Sequence, residues 1–237
     1  MYARSYGIKY MNEITELRKQ YTPDKISVDK ENPVLYYVLR PLSFYLTIPC
    51  IKMGLSANQV TFIGMGIGIA GCLMLGLGLY WSMIVGAVLL ILNDVCDVVD
   101  GNIARYNNTS STYGGYLDDV ISGEIIPAIV PFVVGIGIGE VLLGSLCSLF
   151  MFSRVVVTEG YSAKFKEKAR SFYKGNGGTW STAYKIGIAV SVSMAWALLI
   201  GAITDTVYWV LIFWTLMVFC EFIAATTFTL IKAKNDN

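Results

Sequence analysis

The sequence predicts an all-α integral membrane protein, a six-transmembrane helix bundle preceded by an amino-terminal cytoplasmic or interfacial segment. Three observations predict it. Hydrophobic residues make up 55% of the 237-residue chain and charged residues only 15%, outside the ordinary range of soluble domains. Six apolar stretches, near 60–80, 83–104, 114–138, 141–161, 183–203 and 207–231, approach the ~20 residues that a helix needs to cross a hydrocarbon core. Of the connections between these stretches, only alternate ones carry Lys or Arg.

That alternation gives the orientation. Arg4, Lys9, Arg18, Lys19, Lys25, Lys30, Arg40 and Lys52 precede the first stretch, and Arg105 opens the loop after the second. Lys164, Lys166, Lys168, Arg170 and Lys174 follow the fourth, and Lys232 and Lys234 lie in the tail. The connections near Tyr80–Ser82, Gly139–Glu140 and Gly201–Thr206 contain no Lys or Arg. Short cytoplasmic loops retain basic residues, so an even number of spans with both termini cytoplasmic is expected. The run from Lys164 to Lys174 reads as topology retention, with anionic head groups or an anionic acceptor as the other use.

Along the chain, residues 1–33 are mixed and charged, so they are expected to form a cytoplasmic segment without a cleavable signal, with Met11–Tyr21 as a candidate surface helix. Residues 34–55 are expected to form an interfacial or re-entrant helix. Their apolar run is interrupted by Arg40, Pro41, Pro49 and Lys52, and a seventh span there would break the charge alternation. Residues 56–237 are expected to form the six-span membrane domain. Its first span carries Gly64, Gly66, Gly68, Gly71, Gly76 and Gly78, small residues that let helices approach closely in lipid. Trp81, Trp180, Tyr208 and Trp209 lie at span ends as interfacial anchors. The five cysteines are scattered without a C-x-x-C pair and read as packing residues.

Function is concentrated in a run of carboxylates at bilayer depth. Each costs roughly 2.5 to 3.5 kcal/mol on insertion scales, so several together must face a polar cavity, a cation or one another. Asp97, Asp100, Gly101 and Ala104 follow i, i+3, i+4, i+7 and share one helix stripe, with Arg105 at its cytoplasmic end. Gly114, Asp118 and Ser122 follow i, i+4, i+8 on the next span. Packed face to face, the two helices would gather three carboxylates around one pocket near the cytoplasmic surface. Divalent cation binding relieves their repulsion. The chain has no histidine, so any metal is held by oxygen, which favours magnesium, manganese or calcium over zinc or copper.

The string from Asp97 through Asp100, Gly101, Ala104, Arg105 and Gly114 to Asp118 resembles the signature of the CDP-alcohol phosphotransferase family, D-x-x-D-G-x-x-A-R-x8-G-x3-D-x3-D. Leu55-Ser56-Ala57-Asn58-Gln59-Val60-Thr61 is similar to that family's L-T-P-N-x-x-T lead into its first span. The resemblance implies a membrane transferase. It would move a phosphoalcohol group from a CDP-linked donor to a hydroxyl acceptor, a lipid or a polyol phosphate, with release of CMP as in phospholipid or polar phosphodiester synthesis. It implies Asp97, Asp100 and Asp118 as ligands of a divalent cation, Mg or Mn, at a site near the cytoplasmic face. Gly101, Ala104, Arg105, Gly114, Asn58 and Thr61 are implied on the donor. A homodimer in contact with membrane lipids is implied as well, and no nucleic acid is expected. The sequence departs from the signature at Ser122, which occupies the place of the fourth aspartate, the usual general base. Serine cannot act as that base near neutral pH, although its hydroxyl can hydrogen-bond an acceptor.

Two other functions stay open on the residues: a non-catalytic relative that binds a CDP-alcohol or metal, motivated by Ser122, and a divalent-cation transporter using the three aspartates. Asp94 reads either as a support for the acidic stripe or as a partner of a basic side chain. Arg154 reads either as a phosphate contact or as half of an internal ion pair, and Glu221 as an acid paired within the bundle.

Overall fold

The structure, a computed structural model, describes residues 13–118, 125–165 and 193–235. Every regular element among them is helical. In chain order these are α1 (13–19), α2 (Pro23–Asp29), a π-helical turn (Leu35–Leu39) that runs directly into α3 (Arg40–Lys52), α4 (Ala57–Gly76) and α5 (Tyr80–Tyr106). Then follow α6 (Thr112–Asp118), α7 (Ile126–Gly137), α8 (Val141–Phe165), α9 (Ser193–Ile203) and α10 (Val207–Asn235).

Four of these are long and apolar enough to cross a membrane: α4, α5, α8 over Val141–Tyr161 and α10 over Val207–Ile231. They coincide with four of the six expected stretches. Large apolar side chains on their outer faces, such as Leu73, Leu142 and Phe213, stay exposed, as suits contact with lipid tails rather than water. The expected span 114–138 holds the two shorter helices α6 and α7, and residues 119–124 between them lie outside the described residues, Ser122 included. The expected span 183–203 is described from Ser193 onward as α9.

The chain divides into two compact units, and α4 and α5 contribute residues to both. The first unit comprises Met1–Ile69 and Leu89–Gly123. Its amino-terminal part is built by capping and by a small apolar core. Asn32 accepts the Leu35 N–H on its side-chain oxygen at 3.1 Å, and Pro33 follows it where a missing N–H costs nothing. Ile14 and Leu17 of α1 pack on Phe44 and Ile48 of α3, and Lys52 pairs with Glu13 at 2.7 Å. The expected helix within Met11–Tyr21 is thus present over 13–19 and lies on α3. At the head of α4, Ser56 and Gln59 form a reciprocal capping box: the Gln59 N–H donates to Ser56 Oγ and the Ser56 N–H to Gln59 Oε1. The opposite end of α5 closes at Asn108, whose left-handed backbone (φ 52°) lets Thr109 N–H reach back to the Ala104 carbonyl at 2.9 Å.

Within this unit α4 meets α5 at Gly64. A Cβ there would lie 2.9 Å from Cys96 Cβ, closer than side-chain carbons approach, whereas Gly66 faces open space. Gly64→Ala is therefore expected to lose about 1–3 kcal/mol through overpacking, and Gly66→Ala to leave stability unchanged or raised. Thermal unfolding of the two variants in one detergent checks this.

The second unit comprises Ala70–Val88 and Glu124–Asn237. Here α7 and α8 touch backbone to backbone: a Cβ on Gly135 would sit 2.9 Å from Gly144 Cα. Only glycine permits that approach in lipid. Helices α8 and α10 meet through Phe150, whose ring centroid is 5.0 Å from that of Phe219 and 5.9 Å from that of Phe222. Arg154 Nε lies 3.9 Å from Glu221 Oε2, so of the two uses open to Arg154 the structure has the internal ion pair, and Glu221 is paired within the bundle as expected.

Candidate functional site

The carboxylate stripe lies on α5 inside the first unit. Asp97 and Asp100 are one turn apart on this helix, and Asp100 is 4% exposed. A carboxylate so deeply placed requires polar partners. One is Thr61 of α4, equally buried, whose hydroxyl donates to Asp100 Oδ2 at 2.5 Å across 39 residues of sequence. The second residue group expected on the donor also converges here. A Cβ on Gly114 would stand 3.4 Å from the Asn58 side-chain oxygen and 3.2 Å from Ser111 Oγ, so the head of α4 and the start of α6 lie in contact range. Ser111 Oγ accepts the Gly114 N–H at 3.0 Å and caps α6. The two sequence motifs, one before α4 and one along α5 and α6, are thereby brought together by tertiary contacts.

Gly101 and Ala104 are half-buried on α5, as is Arg105 in its last turn, where a cation suits the helix dipole. The space over Gly101 is taken by Arg105 itself: a Cβ at Gly101 would meet Arg105 Nη1 at 3.2 Å. The surface expected to admit a ligand close to the backbone therefore first admits a guanidinium. Asp118 ends α6, and its side chain, like Ser122, is outside the described residues. Among the described residues no group of three His, Cys, Asp or Glu is close enough to hold a metal ion. The donor chemistry of Asp97 and Asp100, carboxylate oxygen alone on one face of α5, fits a hard divalent cation.

Beside the stripe lies a buried polar network that spacing along the sequence did not disclose. Arg40, one of the basic residues expected to set orientation, is 4% exposed and pairs with Asp29 by converging two nitrogens on one carboxylate oxygen, Nη2 to Oδ2 at 2.6 Å and Nε to the same oxygen at 2.8 Å. Lys25 Nζ stands 3.5 Å from Asp29 Oδ1, and the Tyr21 hydroxyl donates to Oδ2 at 2.8 Å. Burial, and then the hydrogen bond to Asp29, push the Tyr21 hydroxyl well above its ordinary pKa, which keeps it a donor. From Arg40 the network reaches α5: Arg40 Nη1 donates to Asn102 Oδ1 at 3.0 Å. Asn102 occupies a variable place within the α5 signature, and the one sequence signal for it is a polar side chain on a buried helix face.

Comparison with known proteins gives a family for the chain. The family model described as CDP-alcohol phosphatidyltransferase matches residues 55–226, which include both motifs and the whole carboxylate stripe. No curated protein matches the chain.

Proposed function

Because the chain belongs to the CDP-alcohol phosphatidyltransferase family, whose members are membrane transferases of phosphoalcohol groups, we propose that it moves such a group from a CDP-linked donor to a hydroxyl acceptor at a divalent-cation site on α5. The observation that carries this reading is the pair Asp97 and Asp100, with buried Asp100 held by Thr61, inside the matched region. In the reaction the acceptor oxygen bonds to the phosphorus that carries the alcohol, and the bond from that phosphorus to the CMP oxygen breaks. The acceptor proton passes to a base, and CMP leaves.

A magnesium or manganese ion, when bound, would neutralise the pyrophosphate and stabilise departing CMP. The chain's own residues do the rest. Asp97, Asp100 and Asp118 supply the oxygen ligands. Thr61 fixes the orientation of Asp100, and Asn58 and Gly114 border the donor, with Gly101 and Ala104 keeping α5 low beside it. Arg105 offers N–H groups to a phosphate oxygen. The reading includes six spans with both termini cytoplasmic, residues 34–55 at the membrane interface, a site near the cytoplasmic face, a homodimer, and an acceptor that is a lipid or a polyol phosphate.

Ser122 at the place of the usual base favours a second reading, a relative that binds a CDP-alcohol without transfer. A screen of purified protein against CDP-diacylglycerol, CDP-inositol, CDP-glycerol, CDP-ethanolamine and CDP-choline, with magnesium or manganese, decides between them. CMP release from one donor is the expected result. Binding without CMP release from any of these donors, in the presence of lipid and polyol-phosphate acceptors, selects the non-catalytic reading. Cation-dependent protection from heat by CDP argues against a transporter, for which the nucleotide has no role.

A further inference from the structure

Asn102 is 5% exposed, and each of its hydrogen-bonding capacities is used. Its Oδ1 accepts from Arg40 Nη1 at 3.0 Å and from Arg105 Nη2 at 2.8 Å. Its Nδ2 donates to Ser43 Oγ at 3.0 Å and to Thr47 Oγ1 at 3.2 Å. The two hydroxyls spend their own hydrogens on the Arg40 and Ser43 carbonyls, so they can only accept from Asn102. The amide is thereby locked with its oxygen toward the two guanidinium groups. Two cations on one oxygen repel, and the Asp29 carboxylate compensates Arg40 through its two short contacts. Among the described residues the hydrogen bond that tethers Arg105 is the one to this shared oxygen, and the guanidinium, under the charge of Asp29 and Asp100, lies back over Gly101. Its planar fork carries about five N–H donors, of which the tether takes one.

From this geometry we infer that Asn102 is a positioning residue for Arg105, and that the amino-terminal segment, through Asp29, Arg40, Ser43 and Thr47, helps to shape the phosphate side of the donor site. The inference rests on the proposed CDP-alcohol reading. It separates Arg105, which contacts the anion, from Asn102, which acts only by holding Arg105 in place. A purely structural role for Asn102 would lower stability without changing what Arg105 contributes to binding.

The test is a double-mutant cycle on the full-length protein in one detergent, reading CDP affinity by calorimetry with magnesium. Asn102→Ala is expected to weaken CDP about tenfold, as for loss of a charge-assisted hydrogen bond. Arg105→Ala should weaken it at least as much. The double variant should be no weaker than Arg105→Ala alone, because the two act through one contact. Additive losses, or an unchanged affinity in Asn102→Ala, overturn the inference. Should Asn102→Ala fail to fold, Ser43→Ala removes one anchor of the amide and serves in its place. A loss of about threefold that vanishes in the Arg105→Ala background supports the inference, and a loss that persists there, or no loss, overturns it. Wild type that binds no CDP with magnesium or manganese removes the transferase reading and this inference with it, whereas wild-type binding with additive losses removes the inference alone.

Discussion

Asp100→Asn is expected to abolish cation-dependent CDP binding, with a loss of at least ~100-fold, while the protein stays folded. Supporting partners of metal ligands are typically worth about 10–100-fold, and a ligand itself more. The substitution keeps the shape of the side chain, and its amide oxygen still accepts the Thr61 hydroxyl that reaches Asp100 at 2.5 Å. What it removes is the charge, which is what a hard cation requires. Asp97→Asn should act in the same direction. Thr61→Val, which leaves both charges but frees the Asp100 carboxylate from its tether, should cost about 10–100-fold. Calorimetry with CDP, run with magnesium and again after chelation, measures all three. Unchanged affinity after chelation, or in Asp100→Asn, would sink the metal-bridged site.

Asp29→Ala is expected to destabilise the first unit by about 3–5 kcal/mol, the usual cost of stranding one partner of a buried ion pair. Arg40, 4% exposed with Asp29 in place, would lose its carboxylate partner and keep the neutral Asn102 amide oxygen. Asp29 also closes α2, where a carboxylate opposes the helix dipole, so its charge is tolerated there because Arg40 and Lys25 answer it. Tyr21→Phe removes one donor to the same oxygen and should cost about 0.5–1.5 kcal/mol. Replacing Asp29 by Leu and Arg40 by Met together should recover most of the lost stability, since a buried pair is often exchangeable for apolar side chains of similar volume. Unfolding of the variants in mixed micelles gives the comparison. A double variant as unstable as Asp29→Ala would show that the pair is needed for more than mutual neutralisation.

The sequence by itself determined the membrane class, the acidic stripe and the family. Each of these is written locally: span length, charge alternation and the 3.6-residue period of Asp97, Asp100, Gly101 and Ala104 are properties of neighbouring residues, and a carboxylate in lipid is conspicuous because its transfer cost is large. The capping box of Ser56 and Gln59 is equally local, a three-residue spacing, but it was the structure that disclosed it. Pairing across long separations was not. Thr61 reaches Asp100 over 39 residues and Arg40 reaches Asn102 over 62, and no period in the chain encodes either contact. Arg40 looked like one more topology-setting cation, and only packing of α3 against α5 turned it into a buried partner of Asp29 and Asn102. Arg154 was open between two uses until α8 and α10 brought Glu221 within 3.9 Å. The tertiary structure decided these identities because a buried charge must find its complement wherever the fold places one, and that choice depends on which helices meet rather than on the residues beside it.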